Sequence, residues 1–425
     1  MTVLIVVAIF VLLMFMGTPM FTVLGLTTVS YCFFNDVTMS AFPYRMVSNI
    51  NNFTLLAIPF FMIAGEIMSE GDLTGRLVGL CRALIGWVRG GLAYVVVALN
   101  IILAGMSGSA NADTAASASI LLPAMDKEGY DRSWSGALLA ASGTMGPIIP
   151  PSIGLVVYAS IAIVPVGELF KAGVIPGLLM AVTFFALVGI YAKRHNLPRE
   201  KRSTRKEIWL AFKKSILSLI MPIIILVSIF TGFATATEGA VIALVYAYIV
   251  TTFVYKTMNF KKFVQIVIKV MINNGAMMSI CATASIFGWL MSFEQIPQVL
   301  KETFLSITNN KYVFLLLVNI LLLFLGCLME GNAIKFVLVP ILLPLLDSYG
   351  ISLIQFGIML ELNLMVGLIT PPVGMSLFLI TKITEEPVGR LVKQLLPFML
   401  CIFIVVLLVT YIPEISLWLP SILTA

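Results

Sequence analysis

The sequence predicts an all-α polytopic membrane protein made of two inverted repeats, each with a re-entrant helical hairpin and a broken helix. Three observations predict it. The 425 residues are 60% hydrophobic and only 11% charged, whereas a soluble domain carries about 25% charged residues. The two halves match, without a gap across their middle, at the offset that pairs Gly105 with Gly326. In both halves the apolar runs are interrupted at matched points by Gly, Pro, Ser and Asn.

Composition excludes several classes. The net charge of +6 reads as basic cytoplasmic loops of a membrane protein, not as a nucleic-acid surface. Cys32, Cys81, Cys281, Cys327 and Cys401 lie among apolar residues with no C-x-x-C spacing and read as small buried hydrophobes. The single histidine, His195, sits in the basic run KRHNLPREKRSTRKE and reads as a solvated loop residue. One histidine and no paired cysteines argue against zinc or haem. Met1–Met16 lacks a basic n-region and a small-residue cleavage site, so it reads as a first membrane helix.

Runs of about 20 apolar residues mark spanning helices. Thr2–Met16 and Met20–Phe34 form a pair joined by GTP, and Phe53–Met68 follows. The stretch 71–91 has one apolar face and predicts an amphipathic arm at an interface. Segments 92–107 and 112–126 flank the polar tip SGSAN, and Ser133–Pro165 is broken by GPIIPPSIG. Phe170–Ala192 spans again, and a basic loop fills 193–214. The second half repeats the order: Ser215–Thr231, Glu238–Val254, Phe263–Ser292, a polar arm at 293–311, Tyr312–Cys327 and Ala333–Asp347 about the tip MEGNA, then Ile354–Thr381 broken by GLITPPVG. Leu391–Ile412 is expected to close the chain.

The internal match rests on residues that helical composition alone does not supply. Asn111 pairs with Asn332, Pro123 with Pro344, Asp126 with Asp347, Gly129 with Gly350, Gly146 with Gly367, and Pro150 and Pro151 with Pro371 and Pro372. With 193–214 placed in the cytoplasm and each hairpin entering and leaving on one side, 21 of the 26 Lys and Arg residues fall on the cytoplasmic face. The repeats then come out inverted, with hairpin one opening from the cytoplasm, hairpin two from the periplasm and both termini outside. The division expected is 1–91 (helices and arm of repeat one), 92–192 (its hairpin and broken helix), 193–214 (loop), 215–311 (helices and arm of repeat two) and 312–425 (its hairpin, broken helix and final helix).

Unpaired N–H and C=O groups in hydrocarbon cost several kcal/mol each, so such backbone survives at membrane depth only inside protein or beside a cavity. Inverted repeats whose broken helices meet at mid-membrane are the architecture of a substrate and coupling-ion site. Carbonyls of SGSAN, the hydroxyls of Ser107 and Ser109, and carbonyls freed by Pro147, Pro150 and Pro151 suit a desolvated Na⁺. Helix N-termini at the tips favour an anion. Lys335, one turn past the second tip, demands an acid or an anionic ligand, and Glu330 and Glu361 are the candidate partners. Asp113 fits a helix-start acid better than a cation ligand. Asn111 and Asn332 fit site residues better than plain caps. Glu66 and Glu238 read as packing or interface residues.

At NNFTLLAIPFFMIAGEIM, GSANADTAASASILLPAM, GYDRSWSGALLAASGTMGPIIPPSIG and FKAGVIPGLLMA the chain resembles the large membrane subunit of tripartite ATP-independent periplasmic (TRAP) transporters, and the resemblance covers essentially the whole length. The resemblance implies an elevator-type ion-transporter fold in the bacterial inner membrane, with no cofactor and with Na⁺ as coupling ion. It implies uptake of an organic-acid anion, such as a C4-dicarboxylate, sialic acid or related sugar acid. A periplasmic substrate-binding protein would deliver that anion, and a separate small four-helix membrane subunit would pair with this chain. It implies one Na⁺ site from Ser107, Gly108, Ser109, Asn111, Gly143, Thr144 and Gly146, and another from Glu330, Gly331, Asn332, Gly367 and Thr370. Substrate contacts would come from Asn111, Asn332, Lys335, Pro150 and Pro371. The second repeat lacks the tip serines of the first and has Glu330 where Ser109 stands, so the two ion sites need not be equal. The alternative is a self-sufficient Na⁺/divalent-anion symporter. An enzyme would need a nucleophile–base pair or metal ligands at membrane depth, and only serines and one loop histidine are available. No P-loop is present.

Overall fold

The computed structural model describes residues 2–423 as twenty α-helices, with no strand among the described residues. Among the described residues, eight helical spans are long and apolar enough to cross a membrane. Repeat one begins with α1 (Thr2–Phe15), α2 (Met20–Phe34), α3 (Phe42–Ile50) and α4 (Ala57–Glu70), which a 3₁₀ turn at Phe53–Leu56 leads into. The arm α5 (Leu73–Ile85) follows, then the hairpin α6 (Gly91–Ser107) and α7 (Ala110–Lys127). The broken helix is α8 (Arg132–Gly143) and α9 (Ile153–Ala162), and α10 (Val166–Arg194) ends the repeat. Repeat two runs α11 (Arg205–Phe230), α12 (Ala236–Ile249), α13 (Phe260–Phe293), arm α14 (Ile296–Ile307), hairpin α15 (Lys311–Leu328) and α16 (Gly331–Ser348), broken helix α17 (Leu353–Leu368) and α18 (Met375–Thr384), α19 (Val388–Tyr411) and α20 (Glu414–Leu423).

Packing establishes the inversion. The first halves of the broken helices lie against their own hairpins, α8 on α7 and α17 on α15. The second halves cross to the other repeat, α9 packing on α16 and α18 on α7. A broken helix that starts beside one hairpin and finishes beside the other has passed from one face to the opposite face. The hairpins therefore open on opposite faces and meet at their tips.

The face at the open end of hairpin one carries the polar contacts of the basic segments. Arg132 Nε donates to the Thr384 carbonyl at 2.8 Å, closing the C-terminus of α18. Arg390 pairs with Asp131 at 3.3 Å, and Arg82 on the arm pairs with Glu128 at 3.1 Å and with Glu200. Burial and the adjacent Glu200 carboxylate push Glu128 above the usual carboxylate range. Trp134 stacks on Tyr191 with ring centroids 3.8 Å apart, tying α8 to the end of α10. By the excess of Lys and Arg this face is cytoplasmic.

Four expectations are corrected. The basic loop is shorter than 193–214: α10 runs through Lys193 and Arg194, and α11 starts at Arg205 behind a Thr204/Glu207 capping box. Helix α3 was not anticipated, because nine residues with one apolar face give too short a periodic signal. The chain does not close at Ile412: α20 folds back on α10, where the buried Lys171 donates to the Leu423 carbonyl at 3.1 Å. The tip of hairpin one is only Gly108 and Ser109, so Asn111 lies in the first turn of α7.

The opposed hairpins give a direct test. A cysteine replacing Lys127, at the exposed open end of hairpin one, and one replacing Ser348, at that of hairpin two, should react with a membrane-impermeant maleimide from opposite sides. In intact cells Ser348→Cys is expected to label and Lys127→Cys only after permeabilisation; labelling of both from outside would sink the inverted arrangement.

Candidate functional site

Close backbone approach builds the junction of hairpin one with its broken helix. Gly108 has φ +61°, and a Cβ there would stand 2.5 Å from the Pro151 carbonyl oxygen. Glycine is required by both conformation and space. A Cβ on Gly143 would collide with Thr114 Oγ1, and one on Gly146 would lie 2.5 Å from Asp113 Oδ2 and 3.2 Å from the Gly143 carbonyl oxygen. The break is thus pressed onto the first turn of α7.

Asp113 is only 1% exposed. Ser107 Oγ donates to its Oδ1 at 2.5 Å, and the Ser109 N–H donates to Ser107 Oγ at 3.1 Å. Asp113 Oδ2 has no hydrogen-bond partner, and neither has the neighbouring Thr114 Oγ1. A buried, unpartnered carboxylate oxygen costs several kcal/mol unless a cation or proton joins it. Asp113 does stand in a helix's first turn, as read from the sequence, but its carboxylate faces the break. Sequence reasoning left it out of the site; its one signal was an acid buried in a run of alanines and serines.

Hairpin two is furnished differently. Glu330 caps α16, accepting from the Ala333 N–H at 3.0 Å and from Asn332 Nδ2 at 2.8 Å. Lys335 takes Glu361 as its partner, Nζ to Oε2 2.6 Å, and donates to Asn332 Oδ1 at 3.3 Å. The two charges are 2% and 1% exposed. Gly154 of the other repeat lies directly over the pair, and a Cβ there would collide with Glu361. Gly367 packs on the backbone of Gly326. The counterpart of Asp113 here is Ile334, so the first turn of α16 sets no acid at that position, and the nearby Glu361 carboxylate is paired with Lys335.

Between the tips lies a cavity of about 110 Å³, lined by Ser109, Asn111, Glu330, Asn332, Lys335 and Glu361 among others. Ser109 and Asn111 also line a vestibule of about 580 Å³ that reaches Glu66, Glu70 and Lys269. Together the two spaces reach the size range of small-molecule sites.

The structure brings Ser107, Gly108, Ser109, Gly143 and Gly146 together, and gathers Asn111, Asn332 and Lys335 at the central cavity. Asn111 bridges the repeats, its Oδ1 accepting from Ser376 Oγ of α18 at 2.7 Å. Thr144 and Thr370 each donate to a carbonyl of their own preceding turn, at 2.6 Å. Gly331 has no close backbone neighbour. Pro150 and Pro371 are not among the residues lining the cavity; Pro147 is. Ser376 carried no sequence signal, and Gly154 was legible only as part of the break GPIIPPSIG, because their contacts exist only across the repeat boundary. Among the described residues no group of His, Cys, Asp and Glu could hold a metal as such ligands do.

Comparisons with known proteins agree with this architecture. The family model described as "Tripartite ATP-independent periplasmic transporter, DctM component" matches residues 7–415. The chain is 36% identical over 411 residues to the sialic acid TRAP transporter large permease protein SiaM of Vibrio cholerae, covering 96% of each. It is 37% identical over 393 residues to the C4-dicarboxylate TRAP transporter large permease protein DctM of Pseudomonas aeruginosa, covering 91% of each. Among solved structures, the YdaH transporter of Alcanivorax borkumensis superposes with a TM-score of 0.65 at 15% identity, over 88% of this chain and 87% of that one, which speaks for the fold.

The Lys335–Glu361 pair makes a stability prediction. Lys335→Met should destabilise the protein by about 3–5 kcal/mol, since it strands a buried carboxylate. The double variant Lys335→Met/Glu361→Leu should recover much of that loss. Thermal unfolding in detergent checks it; equal melting of both variants would mean the two charges do not depend on each other.

Proposed function

The chain belongs to the DctM family of tripartite ATP-independent periplasmic transporters, and on that premise we propose that it is the translocation subunit of a Na⁺-coupled secondary transporter importing an organic-acid anion. It is a transport protein of the bacterial inner membrane and not an enzyme. Its working partners are a small four-helix membrane subunit and a periplasmic binding protein that delivers the anion.

The observation that carries the reading is the partnerless Asp113 Oδ2 at the hairpin–break junction. Na⁺ as transported coupling ion would be held by that oxygen with the carbonyls around Gly143 and Ser109, a hard-oxygen set. Binding there neutralises a buried negative charge beside the cavity and makes the site better suited to an anion. Among the described residues Lys335 supplies the only positive charge lining the cavity. Asn111 and Asn332, each in the first helical turn behind its hairpin tip, offer amide groups that orient a carboxylate. In the second repeat, ion binding draws on the backbone around Gly331, Asn332, Gly367 and Thr370, with Ile334 where the first has Asp113, so the two ion positions contribute unequally. The hairpins and broken helices, joined by glycine-tight contacts, move as one body against the remaining helices in an elevator cycle.

The test is uptake into proteoliposomes containing this chain and its small subunit, with the binding protein added outside and an inward Na⁺ gradient. Labelled succinate and N-acetylneuraminate represent the two substrate classes named for the relatives above. Asp113→Asn should raise the Na⁺ concentration for half-maximal uptake about tenfold or more, the loss expected for one charged ligand. Asn111→Ala and Asn332→Ala should raise it less. Undiminished Na⁺ affinity in Asp113→Asn would remove Asp113 from the ion site. Uptake without the binding protein would favour a self-sufficient symporter.

A further inference from the structure

We infer that the cleft on the periplasmic face, between α3, α13, the outer end of α9 and the tip-side half of α16, is a capture site for a carboxylate anion, with the Arg45 guanidinium as its ligand. The inference rests on reading the chain as an organic-anion importer.

The cleft measures about 560 Å³. It is the repeat-related twin of the cytoplasmic vestibule of about 580 Å³. Phe336 and Pro340 line it where Ala115 and Ser119, at the same offset as Gly105 and Gly326, line the other. Gly288 of the stretch GWLMS lines it where Gly65 of GEIMS lines the other, a match by the shared pattern G-x-x-M-S that falls two residues beyond that offset.

The twins differ in charge. On the cytoplasmic side Lys269 pairs with Glu66, and Glu70 pairs with Lys262 at 3.1 Å, so the exposed charges cancel. On the periplasmic side the position matching Glu66 is Trp289. The Arg45 guanidinium lies over that ring, 5.5 Å from its centroid. A ring face holds a guanidinium in place without neutralising it. None of the described residues gives Arg45 an acidic partner. Among the described residues Arg45 is also the only charged one lining the cleft, and Tyr44, Ser48 and Ser285 add hydroxyls around it. An oriented cation without a counter-ion, in a polar cleft open to the side from which substrate arrives, is a carboxylate site.

The test needs no knowledge of the substrate. The five native cysteines are replaced, and Ser160→Cys in the periplasmic cleft is compared with Ser119→Cys in its cytoplasmic twin. Each is reacted with an anionic and a cationic methanethiosulfonate of similar size, in the complex with the small subunit. The anionic-to-cationic rate ratio at Ser160→Cys should exceed that at Ser119→Cys. Arg45→Gln should lower the former about fivefold, and Arg45→Lys should preserve it. Succinate, the probe carboxylate, should slow the anionic reagent at Ser160→Cys about twofold when half the clefts are filled, and have no effect in Arg45→Gln. A ratio indifferent to Arg45→Gln, or protection that survives it, would overturn the assignment. Failure of organic-acid uptake in the preceding assay would leave this ratio unchanged, so the two readings fail separately.

Discussion

Polar main chain at membrane depth must find its partners inside the protein, and the arrangement of this molecule follows from that requirement. Each repeat is interrupted twice at depth, once at a hairpin tip and once in a broken helix. Neither interruption could face lipid, because each exposes amide groups whose desolvation costs several kcal/mol. The breaks are therefore pressed onto the tips, and glycine makes the approach close enough. Gly108 on Pro151, Gly143 and Gly146 on α7, and Gly367 on Gly326 all exclude a side chain. The same packing that hides the main chain leaves carbonyl oxygens and short side chains concentrated at mid-membrane, where an ion can use them.

Given that frame, the two repeats have diverged in their charges more than in their backbones. Repeat one keeps an acid with a free oxygen, Asp113, beside its break. Repeat two keeps a closed ion pair, Lys335–Glu361, buried under Gly154 of its twin. A buried pair of this kind contributes little net stability, since desolvation offsets its attraction. Its retention makes better sense as placing a positive charge next to the central cavity. The vestibules show the same pattern, a compensated Lys269–Glu66 pair on one face and an uncompensated Arg45 over Trp289 on the other.

Much of this was legible in the sequence, and what was not has physical reasons. The offset between Gly105 and Gly326 located both hairpins and both breaks to within a few residues, because glycine and proline mark backbone geometry and geometry is what the repeats share. Glu361 as a partner for Lys335 was one of two candidates; Glu330 lost to the local demand of an uncapped helix start. Helices α3 and α20 escaped because nine or ten residues give too few turns for a periodic signal. The Asn111–Ser376 and Gly154–Glu361 contacts escaped because they join halves of different repeats, and no single segment records which neighbour it will meet.

The distribution of contact strength also bears on what can move. The tips and breaks are joined by backbone-close packing and by hydrogen bonds buried from water. The arm α5 meets the open end of hairpin one through Arg82, Glu128 and Glu200, all partly exposed. Exposed ion pairs of this sort are each worth about 0–1 kcal/mol. These ion pairs between arm and hairpin are thus weaker links than the glycine-tight packing of tip on break. A displacement that carries both hairpins and both broken helices together separates these ion pairs, along with the packing of α4 on α6 and of α13 on α16, and leaves the tip–break junctions closed. That is the property a carrier needs if its cargo is to cross while its polar main chain stays covered.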